Sequence, residues 1–365
     1  MLLRIILNSI IIRVVDYLRN KLVRKIVLGL MASMLCMPTV TTYASANPTA
    51  ANPESLNIYS ARNEALIKPL LDQFASQHNV TINLVTGKAD ALLARAKSEG
   101  QFSPVDIIIT TDVGRLARAK SQGLTQPITA TLPAFATLQD PQQHWVALTT
   151  RNRPIIVNPS NIAEGEITRY EDLVKPEYKG RVCVRSSTNI YNQSMVAAML
   201  MQQGEAATLA WAKGLVNNFA RRPKGGDRDQ IKAIVAGVCD IALANTYYLA
   251  AMRNADADSV AIANQVKVVW PNQSDRGVHL NISGIAVAKY AKNTEIANQL
   301  IAFMLGREAQ DWYAKTNHEY PVDPAIEWSG TLQAMGTFKA ESVELNEVGE
   351  LNAKALQIMD KAGWQ

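Results

Sequence analysis

The sequence predicts an α/β protein of two lobes with a ligand cleft between them. Short β-branched runs alternate with helical patterns, which implies parallel sheets with covered faces. The chain is long, 365 residues with 48% hydrophobic, enough to bury two cores. Its most distinctive polar residues stand where strands end, the place at which α/β sheets bind ligands.

The first element is a leader. Lys21, Arg24 and Lys25 precede an apolar run at 26–35, and Ala44-Ser45-Ala46 offers a small-residue cleavage site. This pattern predicts a signal peptide, 1–46, cleaved after Ala46. Residues 1–46 hold six basic side chains against one acid, Asp16. Beyond them the chain balances at 31 each, so the net charge of +5 is no footprint for nucleic acid.

The first part of lobe 1 is expected at 47–150. It comprises a strand at 56–59, a helix at 64–77 with Leu66, Leu70, Leu71 and Phe74 on one face, a strand at 80–85, a helix at 89–98 and a strand at 105–110. Asp112 then caps a helix that Gly123 ends. Lobe 2, at 151–277, holds strands at 155–157, 182–185, 239–244 and 266–269, with helices near 190–202, 205–217 and 227–236. Residues 278–365 return to lobe 1 through a strand at 282–287 and helices near 294–304 and 307–315, followed by C-terminal helices.

Several chemistries lack their signatures: there is no G-x-S-x-G, H-E-x-x-H, P-loop or G-x-G-x-x-G. His78, His144, His279 and His318 are scattered and read as structural or exposed. Gly225-Gly226-Asp227 reads as a helix-opening turn with Asp227 as its cap. Past the leader only Cys183 and Cys239 remain, which in an oxidising compartment form a disulfide and otherwise are two buried thiols.

Tyrosines at element ends are the features left over. Tyr247-Tyr248 follows the strand at 239–244, and Tyr191 follows a strand end that runs into a helix N-terminus. Adjacent residues of a regular strand point to opposite faces, so both phenols reach one point only where the strand ends and the chain turns; Asn245-Thr246 supplies such a turn or cap. A helix N-terminus favours an anion. Taken alone, a tyrosine pair is packing or surface as readily as a metal site.

Nine stretches change that balance: I-Y-S-A-R-N (58–63), S-P-V-D-I-I-I-T-T-D (103–112), L-T-T-R-N-R-P (148–154), K-G-R-V-C-V-R-S (179–186), N-I-Y-N-Q-S (189–194), R-R-P-K-G-G-D-R-D-Q-I-K-A-I (221–234), G-V-C-D-I-A-L-A-N-T-Y-Y (237–248), N-I-S-G (281–284) and N-H-E-Y-P-V (317–322). In this order they resemble the periplasmic ferric-iron-binding proteins of ABC transporters, of the type II periplasmic-binding-protein fold. The resemblance implies Tyr191, Tyr247 and Tyr248 as ligands of Fe³⁺. Many relatives have R-H-Y where this chain reads Arg62-Asn63-Glu64, so the likeness is to the subgroup with three tyrosines and a bound carbonate. Arg62, Asn63, Arg151, Ser187 and Asn189 are then the anion-binding residues, and Tyr59 is structural. The implied protein is a periplasmic monomer that catalyses nothing and hands its cargo to an inner-membrane ABC permease. Ferric iron is hard and suits oxygen ligands. Each phenol costs roughly 4 kcal/mol to ionise at pH 7, which a strongly acidic cation offsets. The competing readings are a same-fold protein for an oxyanion or a thiamine-like solute, and a secreted enzyme.

Overall fold

A computed structural model of the protein describes residues 54–365; the predicted leader and its cleavage site lie outside the described residues. The chain opens with β1 (Glu54–Ser60), α1 (Glu64–His78), β2 (Val80–Thr86), α2 (Ala89–Glu99) and β3 (Ile107–Thr111), close to the predicted spacing. In α1, Ile67 rather than Leu66 joins Leu70, Leu71 and Phe74 in the core, each worth about 1.5–3 kcal/mol on burial; Leu66 faces a cleft. Asn63 caps this helix, its side-chain oxygen accepting from Ala65 N at 3.1 Å. α3 (Val113–Ser121) is capped by Asp112, as predicted, and Gly123 supplies the left-handed turn beyond it. β4 (Thr125–Gln126) and β5 (Val146–Asn152) follow.

The chain then leaves this sheet. β6 (Ile155–Val157), β7 (Val182–Cys183), α4 (Ile190–Asn217), α5 (Asp227–Val235), β8 (Ile241–Leu243), α6 (Thr246–Arg253), α7 (Ala257–Ala263) and β9 (Lys267–Val269) come next. α4 spans both helices expected at 190–217, and Gly204 breaks it with φ 80°, a backbone open to glycine. The expected cap Asp227 is instead the first residue of α5, after Gly226. Of the turn or cap expected at Asn245-Thr246, the structure has the cap: Asn245 precedes α6, which opens at Thr246.

The final stretch is β10 (Leu280–Ala288), α8 (Thr294–Met304), α9 (Arg307–Lys315), β11 (Tyr320–Pro321), α10 (Gly330–Gln333), α11 (Leu345–Glu350) and α12 (Asn352–Ala362). The first sheet runs β11–β5–β10–β3–β1–β2, with β4 also on β10; the second runs β7–β8–β6–β9. β1, β2 and β3 are parallel, whereas β10 runs against β3, β4 and β5. The second sheet is mixed: β6 is antiparallel to both β8 and β9, and only β7 and β8 are parallel. α12 packs along α4 and α11 against α3, so the end of the chain covers helices from both halves.

Two crossings join the sheets, from β5 to β6 and from β9 to β10. Tyr170 holds them together. Its hydroxyl donates to Arg153 O at 2.7 Å on one crossing and accepts from His279 N at 3.2 Å on the other. His279 N–H and Arg153 O are thereby satisfied without water.

Cys183 on β7 and Cys239 just before β8 are bridged, with Cα atoms 5.9 Å apart and 56 positions between them in sequence. The bridge ties the strand that leads to Tyr191 to the one that leads to Tyr247-Tyr248. Replacing both cysteines by serine is expected to cost about 2–4 kcal/mol, read as a lower urea midpoint; an unchanged midpoint would contradict it.

Candidate metal centre

The three sequence-predicted tyrosines meet. Tyr247 and Tyr248 occupy the first turn of α6, after the cap residue Asn245. On a helix adjacent residues diverge by about 100° rather than the half-turn of a strand, so neighbouring rings can share a site. Their centroids are 4.3 Å apart. Tyr191 is the second residue of α4, whose cap Asn189 accepts from Asn192 N. Both helix starts therefore face one cavity of about 380 Å³, lined by all three tyrosines. Their exposed N–H ends and positive dipole ends favour negative oxygen there.

A buried carboxylate fixes this arrangement from behind. Asp227 Oδ2 accepts from Arg153 Nη1 at 3.1 Å and from Asn245 N at 2.9 Å, and Oδ1 accepts from Arg185 at 3.5 Å. Arg153 also donates to Asn245 Oδ1 and to Asn192 Oδ1. One ion pair thus ties the starts of α4, α5 and α6 to the β5–β6 crossing. Arg185 in turn lies 5.6 Å over the Tyr191 ring, and Arg228 lies 5.8 Å over Tyr248.

The facing wall is cationic. Arg62 and Arg151 are buried and line the cavity, as expected of anion partners. Arg151 lies 5.2 Å over the Tyr247 ring. Both arginines donate to Ser283 Oγ, and both pair with Glu319, Arg62 at 3.0 Å and Arg151 at 3.5 Å. Glu319 was invisible to the sequence reading, and it cancels one of the two positive charges. Burial alone would raise its pKa; Arg62 and Arg151 outweigh that and hold the carboxyl below its usual range. Nε and Nη2 of Arg62, and Nε and Nη1 of Arg151, are buried without acceptors among the described residues. Unsatisfied donors of this kind are costly, and an anion in the cavity would supply acceptors.

The other expected site residues divide. Asn63 lines the cavity while capping α1. Ser187 and Asn189 do not line it. The Ser187 hydroxyl donates to Asp360 of α12 at 3.1 Å, and the Asn189 side-chain oxygen is spent on its cap. Their proximity in sequence to Tyr191 does not carry them to its side, because a C-terminal helix the sequence could not place captures Ser187. Tyr59, as expected, is structural: its hydroxyl donates to Glu99 at 2.9 Å. His318, read as structural or exposed, lines the cavity.

The phenols are not equivalent. Burial opposes ionisation of Tyr191, but Arg151 and hydrogen bonds with Tyr247 and Thr111 outweigh it, so its pKa lies below the usual value. Burial, then the Tyr191 and Tyr248 phenols, pushes Tyr247 well up. Burial, then Tyr191 and Asp227, pushes Tyr248 up to about 12. Phenols crowded so closely ionise together only around concentrated positive charge, and three hard oxygens suit a trivalent cation. No group of three His, Cys, Asp or Glu among the described residues offers a competing metal site.

Two sheets, two crossings and a polar cavity flanked by helix starts are the architecture of a two-lobed solute-binding protein. Residues 102–337 match the family described as bacterial extracellular solute-binding protein, and the chain belongs to that family. Among curated relatives, Iron uptake protein A1 of Synechocystis sp. is 41% identical over 323 residues, 87% of this chain and 89% of the relative. The major ferric iron-binding protein of Neisseria meningitidis is 25% identical over 342 residues, 90% and 99% of the two chains. A Trichodesmium protein solved in complex with iron and citrate ligands is 39% identical over 85% of this chain and 100% of its own, at TM-score 0.81.

Asp227→Ala would leave Arg153 charged and uncompensated in the core. It is expected to cost about 3–5 kcal/mol in urea unfolding; a loss within ~0.5 kcal/mol would refute the central role given to this pair.

Proposed function

We propose that this protein captures ferric iron outside the cytoplasm and delivers it to an ABC permease in the inner membrane. Tyr191, Tyr247 and Tyr248 are the metal ligands. The observation that carries this is the meeting of three phenols at two helix starts in one cavity. The names of the relatives support it, since they are iron-uptake and ferric-binding proteins.

A small carboxylate anion, carbonate in the first instance, completes the coordination. The unpartnered nitrogens of Arg62 and Arg151 would receive it, with Asn63 beside them; Ser187 and Asn189, turned elsewhere, drop out of the anion site. Three phenolates neutralise Fe³⁺, and carbonate leaves the assembly at about −2. Arg62 and Arg151 with Glu319 return only one positive charge, so Arg228 at the cavity wall is the further compensating cation. The protein acts as a monomer in the periplasm, its leader removed after Ala46, without nucleic acid. One lobe takes 151–277 and the other the described residues up to 150 with the return from 278, except that α12 (Asn352–Ala362) packs on α4 of the 151–277 lobe.

Tyr247→Phe and Tyr248→Phe keep ring volume and remove one oxygen each. Both are expected to lose most of the visible phenolate-to-iron charge-transfer band on titration with chelated Fe³⁺. Two variants that colour and bind like the parent would sink the assignment.

The phenol pKa directions also set the pH dependence. With Tyr247 and Tyr248 raised, both carry protons at pH 7 in the iron-free protein. Iron must displace those protons, so apparent affinity rises with pH, by about one decade per pH unit for each proton released. Tyr191, with its lowered pKa, is the first of the three to part with its proton as pH rises, so its share is the smallest. Competition titrations from pH 6 to 8 should therefore give a slope between about two and three decades per unit. A slope near zero would mean that phenols are not the ligands.

A further inference from the structure

His318 is the cavity residue for which neither the fold nor the proposed coordination has yet given a use. It stands between α9 and β11, next to Glu319, on the wall that carries Arg62. The loop around it is firmly held. Thr316 N and Asn317 N donate to Trp312 O, Glu319 N donates to Tyr313 O, and Asn317 Nδ2 donates to Leu66 O at 3.2 Å. Trp312 Nε1 reaches the same Leu66 carbonyl at 3.0 Å. Within this anchored loop His318 has φ 55°, in the left-handed region that histidine enters more readily than most side chains. It lines the same cavity as the three tyrosines.

The two ring nitrogens differ. Nδ1 is buried and meets no partner among the described residues. Nε2 is not buried in this way and is also free among them. Burial holds the ring's pKa below its ordinary value, so one nitrogen carries a proton and the other a lone pair. A metal bond through Nε2 would force the proton onto Nδ1, where a buried N–H would have no acceptor. Metal-bound histidines almost always donate that other N–H to a partner. The less costly arrangement leaves the lone pair on buried Nδ1 and presents Nε2–H to the cavity as a donor.

We infer that His318 donates Nε2–H to a carboxylate oxygen of the anion that completes the site, and does not bind the metal. The inference rests on the proposed iron-binding function and extends it, by making His318 a specificity residue for the anion. The shared ligand chemistry is a carboxylate oxygen, whether from carbonate or from a larger polycarboxylate such as citrate.

The test compares the parent with His318→Ala and His318→Gln, the second keeping an N–H donor. Each is loaded with Fe³⁺ by oxidising ferrous chloride with CO₂-free oxygen in CO₂-free buffer, then given nothing, bicarbonate or citrate. The readouts are the position of the visible band and the rate at which excess desferrioxamine strips the iron. In the parent the effective anion slows stripping. His318→Ala should lose about ten- to a hundredfold of that slowing, the worth of one hydrogen bond to a charged group. His318→Gln should recover part of it, and the band in CO₂-free buffer should not move. Loss confined to bicarbonate or to citrate identifies the anion. A band shift in CO₂-free His318→Ala would make His318 an iron ligand and overturn the inference. So would equal anion effects in parent and His318→Ala, or no anion effect in a coloured parent. A parent without a band would instead remove the iron-binding function on which the inference stands.

Discussion

Three phenol oxygens gathered at two helix starts will not ionise together unless positive charge fills the space between them. Much of the cavity's construction follows from that constraint. The helix starts of α4 and α6 contribute positive dipole ends, and Arg151, Arg185 and Arg228 flank the rings. Without a cation, burial and then the neighbouring phenols push Tyr247 and Tyr248 up, while the arginine beside Tyr191 holds that one phenol down. A cation of high charge removes the mutual repulsion, so the same geometry that keeps Tyr247 and Tyr248 protonated when empty favours a trivalent guest.

Such a site needs rigid placement of side chains from distant parts of the chain. The Arg153–Asp227 pair supplies it. A buried ion pair is weak evidence for net stability, because desolvation offsets its attraction. Here it has a positional role: both partners are buried, and beyond each other they bond Asn192 and Asn245, one near the start of each tyrosine-bearing helix. The Cys183–Cys239 bridge fixes the strands that feed those helices.

Local pattern made much of this legible. The βαβ spacing, the N-terminal cap of α3 and the glycine beyond it, the bounds of α8 and α9, and the tyrosines themselves could be read from neighbouring residues. β5 could not, because V-A-L-T-T-R-N ends in polar residues that read as loop, yet Arg151 and Asn152 are 1% exposed. Their burial depends on partners far along the chain. Arg62 meets Glu319 across 257 positions and Arg153 meets Asp227 across 74, separations at which periodicity carries no signal. Ser187 failed for the same reason, since only the packing of α12 on α4 brings Asp360 to it. Asn245-Thr246, legible as a turn or cap, is the cap and first residue of α6, and a helix start brings the adjacent rings together.

The two walls of the cavity therefore do different work. All three phenols belong to elements packed on the second sheet, so a cation can be bound by that wall alone. Arg62 and Glu319 come from elements of the first sheet, and the one carboxylate there, Glu319, is already shared between two arginines. What that wall can recognise is an anion resting on the metal. In the proposed function, capture and closure are then separable: the phenols select a hard cation, and the arginine wall engages once an anion arrives with it. Tyr170, bonded to both crossings by a single hydroxyl, leaves that wall a defined path, because the crossings must move together or break a buried hydrogen bond. On the proposed function, a guest lacking the anion would give the first wall little to hold, and selectivity would then be for the pair of ions rather than for the metal alone.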